Sequence, residues 1–143
     1  TSIKNQNKIE REFQLVGTSQ WDDISTLNNP KLVGSWFVAP ESKNFTKFEK
    51  NYYNHFEKFP PRISSIAYDS VIAVAKVIER NGGRNIELED FVNYKSAKNG
   101  FEGIDGLFRY LPNGLVQRNL AVLQVDEGEF KTIDKPTEKF LNY

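Results

Sequence analysis

Few residues in this chain could do chemistry. His55 is the single histidine, and there is no cysteine. Zinc sites draw on several imidazole or thiolate ligands, and nucleophilic hydrolysis needs a base beside a serine or thiol. One histidine leaves little to build either from, and its position one step off an aromatic seam marks it as a surface residue. No Gly-x-Ser-x-Gly turn occurs, which removes the hydrolase elbow. Gly100, Gly103 and Gly106 are spaced by three. They lead into a strand, whereas phosphate cradles run from a strand into a helix, so turn-making accounts for them better. The adjacent acids Asp22 and Asp23 could hold a cation or form an acid/base pair, but one of them capping a helical turn is the simpler account. These residues point away from an enzyme and imply neither a metal nor a cofactor. Tyr68 and Asp69 are more informative. They are polar groups in the first turn of an apolar helix, where helix starts in α/β proteins border ligand crevices.

The helix that carries them is expected over Ile63–Glu79. Ile63, Ala67, Val71, Val74 and Ile78 recur at helical spacing, and Ile66, Ala75 and Val77 broaden the stripe. Little of that helix is therefore expected to face water. Pro60 and Pro61 block helix upstream, and Asn81, Gly82 and Gly83 stop it. Phe45–Phe59 reads as a preceding helix whose Phe45, Phe48, Tyr52 and Phe56 form an aromatic seam for the core. Lys43–Arg62 interleaves basic and aromatic residues, but Glu49 and Glu57 dilute its charge, so it is not read as a nucleic-acid surface. Phe13–Thr18 and Lys31–Pro40 read as strands, the first of the kind that is parallel and covered on both faces. The intervening Ser19–Pro30 is a loop with a helical turn near Asp22–Leu27. Asn85 is expected to cap a third helix that runs to Gly100. Strands follow at Ile104–Tyr110, Leu120–Val125 and Phe130–Ile133, with turns at Pro112–Gly114 and Asp126–Glu129. Strands, then helices, then an antiparallel tail argue for an α/β layer with a mixed sheet edge.

At 143 residues the chain has the size of one domain or one lobe. Its 19 basic and 19 acidic residues cancel, leaving no net field to recruit nucleic acid or an anionic membrane. No apolar run approaches the roughly 20 residues of a bilayer crossing. The chain starts at Thr1 and contains no methionine, from which a processed or truncated segment is expected, with any export signal upstream.

Four segments in register carry a resemblance. They are FQLVGTSQWDD (Phe13–Asp23), LVGSWFVAP (Leu32–Pro40), PPRISSIAYDSVIAVAKVI (Pro60–Ile78) and GFEGIDGLFRYLPNGLVQRNLAVLQVDEGEF (Gly100–Phe130). Together they resemble the C-terminal part of type I periplasmic binding proteins, the leucine/isoleucine/valine-binding receptors of ABC transporters. More narrowly, they are similar to the alphaproteobacterial branch called penicillin-binding protein activators. The resemblance implies a three-layer α/β sandwich lobe, with parallel strands and C-terminal antiparallel hairpin strands. Residues 1–143 would form a single segment, the C-terminal part of a two-lobe domain whose N-terminal half is absent. The implied function is non-enzymatic binding of a small amino-acid or peptide-like molecule in an inter-lobe cleft. A membrane permease would be its partner and the periplasm its location. The alternative is an envelope module that regulates peptidoglycan synthesis through a cell-wall synthase.

The resemblance places ligand contacts at Ser19, Gln20, Trp21 and Asp22, after the first strand, and at Tyr68 and Asp69. Trp21 could equally fold over the core, and Tyr68 and Asp69 could serve the hinge structurally. Amino-acid receptors of this kind carry an acid just after that strand to pair with the ligand's ammonium. Here Ser19 and Gln20 stand there and the acids come later, which argues against a free amino acid, because an unpaired buried ammonium is costly. Isolated from its other half, such a segment is expected to expose apolar surface and to form homodimers.

Overall fold

The computed structural model describes residues 13–41, 43–94 and 99–140. The chain divides into two compact units. The first joins Thr1–Pro40 to Leu120–Lys135, and the second joins Glu41–Asn119 to Pro136–Tyr143.

The first unit is a four-stranded mixed sheet. β1 (Val16–Gly17) pairs in parallel with β2 (Trp36–Ala39), and β2 pairs antiparallel with β6 (Ala121–Val125). β6 continues through an antiparallel ladder to β7 (Phe130–Asp134), with a bulge between Val122 and Leu123. The period-two rule sorts its side chains. Phe37, Ala39, Ala121, Leu123 and Val125 point inward to form the core, while Trp36 and Val38 face out. Trp21, Leu32 and Phe130 close over that core. The parallel β1–β2 pairing agrees with the sequence reading. The expectation that the first strand is covered on both faces does not hold, since Val16 is exposed. Between β1 and β2 lies the short helix α1 (Ile24–Leu27), capped by Asp23, whose carboxylate accepts the Ser25 amide at 2.8 Å.

In the second unit, α2 (Lys43–Phe56), α3 (Ser64–Arg80) and the short α4 (Leu88–Val92) accompany a three-stranded antiparallel sheet of β3 (Phe101–Gly103), β4 (Gly106–Tyr110) and β5 (Val116–Arg118). Its core is largely aromatic. Phe101 stacks on Tyr94 with centroids 4.1 Å apart and on Phe108 at 5.5 Å, while Phe91 and Tyr110 meet edge to face at 5.1 Å. Ala73 and Val77 of α3 pack into the same cluster.

Three sequence expectations are corrected here. Ile104–Asp105 is the turn of a β3–β4 hairpin and not the start of a strand, because Gly106, at φ +87°, supplies a backbone conformation that turns the chain. The third helix is capped at Glu87, not Asn85, and its described part ends at Val92. Asp90 accepts the Glu87 amide at 2.8 Å, which fixes that start two residues later than expected. Residues 95–98, within the span expected to run to Gly100, lie outside the described residues.

The third correction concerns α3 itself. The buried line is Ser65, Asp69, Ala73 and Val77, at steps of four, whereas Ile63, Ile66, Ala67, Val71, Val74 and Ile78 are exposed. Apolar residues surround most of this helix, so periodicity alone could not select a face. The hydrogen-bonding partners of Ser65 and Asp69 select it instead.

Candidate functional site

Two ion pairs and several hydrogen bonds tie the start of α3 and the residues before it to the β3–β4 turn and to β5. The Asp69 carboxylate, 1% exposed, accepts the Ile104 amide at 2.6 Å and the Arg118 guanidinium at 2.9 Å, with the Asp105 amide at 3.4 Å. Asp105, 3% exposed, takes Arg62 on one oxygen at 2.8 Å and the Ser65 hydroxyl on the other at 2.7 Å. Both guanidiniums also lie over rings: Arg62 is 4.2 Å from the Phe45 centroid and Arg118 is 4.6 Å from that of Phe108. Buried carboxylates are tolerated only when paired and hydrogen-bonded in this way. Gly103 is part of the same arrangement. A Cβ there would overlap the Asp69 carboxylate, so only glycine allows the strand to approach the helix this closely.

Tyr68, the neighbour of Asp69, points elsewhere. It is half exposed, and its ring meets Phe48 of α2 at 5.4 Å. Together Tyr68, Phe48 and Asn51 stand between two open grooves. One, of about 450 Å³, is mixed in character and is bordered by Asn44, Lys47 and Glu102. The other, of about 510 Å³, is mostly apolar and runs on past Tyr52, Phe56 and Val71. The aromatic seam of α2 therefore lines a groove. It is not enclosed in the core, and Phe56 at its end is 61% exposed. His55 is exposed as expected, its Nδ1 2.8 Å from the Asn51 carbonyl of its own helix.

The other residues singled out in the sequence lie in the first unit. Ser19, Gln20 and Trp21 form a 3₁₀ turn directly after β1, with Ser19 and Gln20 exposed. Trp21 is partly buried, its ring 6.5 Å from Phe37 and so close to Gly17 that a Cβ there would overlap it. Its position corresponds to a tryptophan folded over the core. Asp22 ends the turn, its amide donating to the Ser19 carbonyl at 3.2 Å. Asp23 is held below the usual carboxylate range by its side-chain and backbone hydrogen bonds with Ser25, which supports the capping role over an acid/base pair. The structure thus puts Ser19–Asp22 in one unit and Tyr68 and Asp69 in the other.

Sequence reasoning missed Arg62, Ser65, Asp105 and Arg118. Asp105 sits in a Gly-x-Asp-Gly turn, where a turn-forming aspartate is the ordinary reading. The available signal was a serine and an aspartate four apart on an apolar helix, both requiring partners once buried. Among the described residues, no cluster of histidine, aspartate and glutamate could hold a metal ion. None of the described helices is long and apolar enough to cross a membrane.

No family model matches this chain, and no curated protein sequence does. Solved structures do. A candidate branched-chain amino acid ABC transporter from Rhodospirillum rubrum matches 87% of the chain with a TM-score of 0.66 and 19% identity. Over the part that it spans, the chain shares the fold of type I periplasmic binding proteins. An extracellular ligand binding receptor from Desulfohalobium retbaense matches 92% of the chain at TM-score 0.60 and 20% identity. A leucine binding protein from Thermotoga maritima matches 90% at TM-score 0.56 and 18% identity. The chain spans 38%, 23% and 38% of these three proteins respectively, well under two thirds of any of them. The mixed sheet, with its parallel β1–β2 pair and antiparallel β6 and β7, is the architecture expected from the sequence.

Proposed function

We propose that this chain is part of a non-enzymatic solute receptor of an ABC-type uptake system, located in the periplasm and serving a membrane permease. The observation that carries this reading is the fold match over most of the chain to solute-binding proteins, one of them a leucine binding protein. The chemistry agrees. Asp69 and Asp105, the most buried carboxylates described, are engaged by Arg118 and backbone amides in the one case and by Arg62 and the Ser65 hydroxyl in the other. Within the first unit, Ser19 and Gln20, both exposed, are proposed ligand contacts together with Trp21 and Asp22. Within the second unit, the exposed Tyr68 is proposed as one, with Asp69 beside it in the chain. The exposed apolar side of α3 also supports self-association of the isolated segment as a homodimer. No specific observation favours the cell-wall synthase alternative.

A thermal-shift screen tests the receptor reading, using free amino acids, benzoate, short peptides and peptidoglycan fragments. A receptor saturated at a hundredfold its Kd gains about 2.7 kcal/mol, which reads as a clear, saturable rise in Tm with one chemical class. A flat response from folded protein overturns the reading.

A further inference from the structure

We propose that Asn113 is a modification site, at which the side-chain amide converts to aspartate and isoaspartate through a cyclic imide formed with the Gly114 nitrogen. The chemistry needs no ligand and stands apart from the receptor reading.

Asparagine precedes glycine at Asn81, Asn99 and Asn113. Glycine carries no Cβ to hinder the approach of its nitrogen to the preceding side chain, so each pair is a candidate. In the reaction the glycine nitrogen attacks Cγ of the asparagine, and a new C–N bond forms. The Cγ–Nδ2 bond breaks, and ammonia leaves with the proton that the glycine nitrogen gives up. Water then adds to one of the imide carbonyls and opens the ring. Opening on one side restores the chain as aspartate. Opening on the other routes the backbone through the side chain as isoaspartate.

The surroundings separate the three pairs. Asn113 and Gly114 are both exposed in the turn between β4 and β5, where water reaches them, and a Cβ placed on Gly114 would stand in open space. The Leu115 amide donates to Asn113 Oδ1 at 3.1 Å. Attack at Cγ develops negative charge on that oxygen, and a fixed N–H stabilises it as an oxyanion-hole donor does. The Gly114 amide donates to the Leu111 carbonyl at 2.9 Å, a turn bond it gives up as its nitrogen swings toward Cγ. Asn81 is the C-cap of α3, and its side chain hydrogen-bonds the Asp90 carboxylate. A carboxylate beside the reacting amide opposes the developing charge. Asn99 is half-buried, and its Nδ2, the atom that must leave, donates to the Phe140 carbonyl at 3.0 Å. Gly100 is buried and packed so closely that a Cβ there would overlap the Phe108 carbonyl. Exposure, open space and a donor on the reacting carbonyl meet at Asn113.

The test incubates the full chain at mildly alkaline pH, folded and in urea, and follows each pair by peptide mapping with mass spectrometry. In the folded chain Asn113 should convert about tenfold faster than Asn81 and Asn99, below the roughly hundredfold that one oxyanion donor supplies in a closed active site. Both aspartyl and isoaspartyl products should form. In urea, where each pair meets only solvent, the three rates should converge. Asn113→Gln, at an exposed turn position, should remove the fast-forming acidic species from ion-exchange profiles while circular dichroism stays unchanged. Conversion of Asn81 or Asn99 as fast as Asn113 in the folded chain overturns the assignment. So does a folded Asn113 that stays an amide, or an acidic species that persists in Asn113→Gln. The same ranking in urea as in the folded chain also overturns it, because the local sequence and not the fold would then set the rates.

Discussion

The two units keep their sheets in place by opposite means. In the first, β2 and β6 bring Phe37 opposite Leu123 and Ala39 opposite Ala121, and the core cluster they form is apolar. In the second, an aromatic cluster holds one part of α3 while Asp69, Arg118, Asp105 and Arg62 fasten its first turns to the three-stranded sheet. Apolar burial is non-directional, so it tolerates small adjustments of register and angle. A carboxylate that receives the Ile104 amide and Arg118 at once fixes position and orientation together. The difference places the more exact geometry at the beginning of α3, next to Tyr68 and the groove.

The comparison can be broken most severely by removing one side of a buried charge pair. Asp69→Ala strands Arg118 and two backbone amides, and we expect a loss of about 3–5 kcal/mol in urea unfolding. Asp69→Asn, which keeps an acceptor for the Ile104 amide, should lose distinctly less. Phe37→Ala is the matching cut in the apolar unit, and a phenylalanine removed from a core costs about 3–5 kcal/mol. The two losses should differ in kind. High salt should leave the Phe37→Ala deficit unchanged, and native-state hydrogen exchange should show its weakened protection in β2 and β6.

A finer test adds one methyl group at the pin. Gly103→Ala pushes a Cβ into the Asp69 carboxylate, and overpacking of this sort costs about 1–3 kcal/mol. The smallest effect is at α4. The Asp90 carboxyl sits below its ordinary value because it accepts the Glu87 amide, with further help from Asn81 and Arg84. A lowered folded pKa means that the stabilisation is present above the unfolded value of about 4 and disappears as pH falls through the folded one. Acid titration followed by amide signals should therefore show α4 losing its first turn as the medium drops below about pH 4. Asp90→Asn should remove that pH dependence with little other change.

Much of the fold was legible because it rests on local rules. Alternation marked β6 and β7, the aromatic spacing marked α2, and one of the paired acids Asp22 and Asp23 was expected as a cap, the role that Asp23 takes. What escaped was whatever depended on a distant partner. The face of α3 was misjudged because its apolar residues surround the helix and the deciding bonds come from residues 35 to 49 positions away. The same reason hides Arg62 and Arg118, which look like surface cations until Asp105 and Asp69 are placed beside them. Of the candidate site residues, Tyr68 and Asp69 were singled out by their position at a helix start. The groove that Tyr68 borders was not, because the α2 seam that lines it has the pattern of a core-facing stripe.

The outermost strand, β7, has a consequence of its own. Among the described residues it pairs with β6 on one side only, which leaves its other side with backbone groups that a strand could meet. Lys131 and Asp134 place charges along that border, and the irregularity between Val122 and Leu123 disturbs the flat, regular ladder that a templating neighbour would need. At high concentration, fibril growth by this chain should therefore not begin at β7, and a variant with Lys131→Val and Asp134→Val should seed fibrils faster in a dye-binding assay.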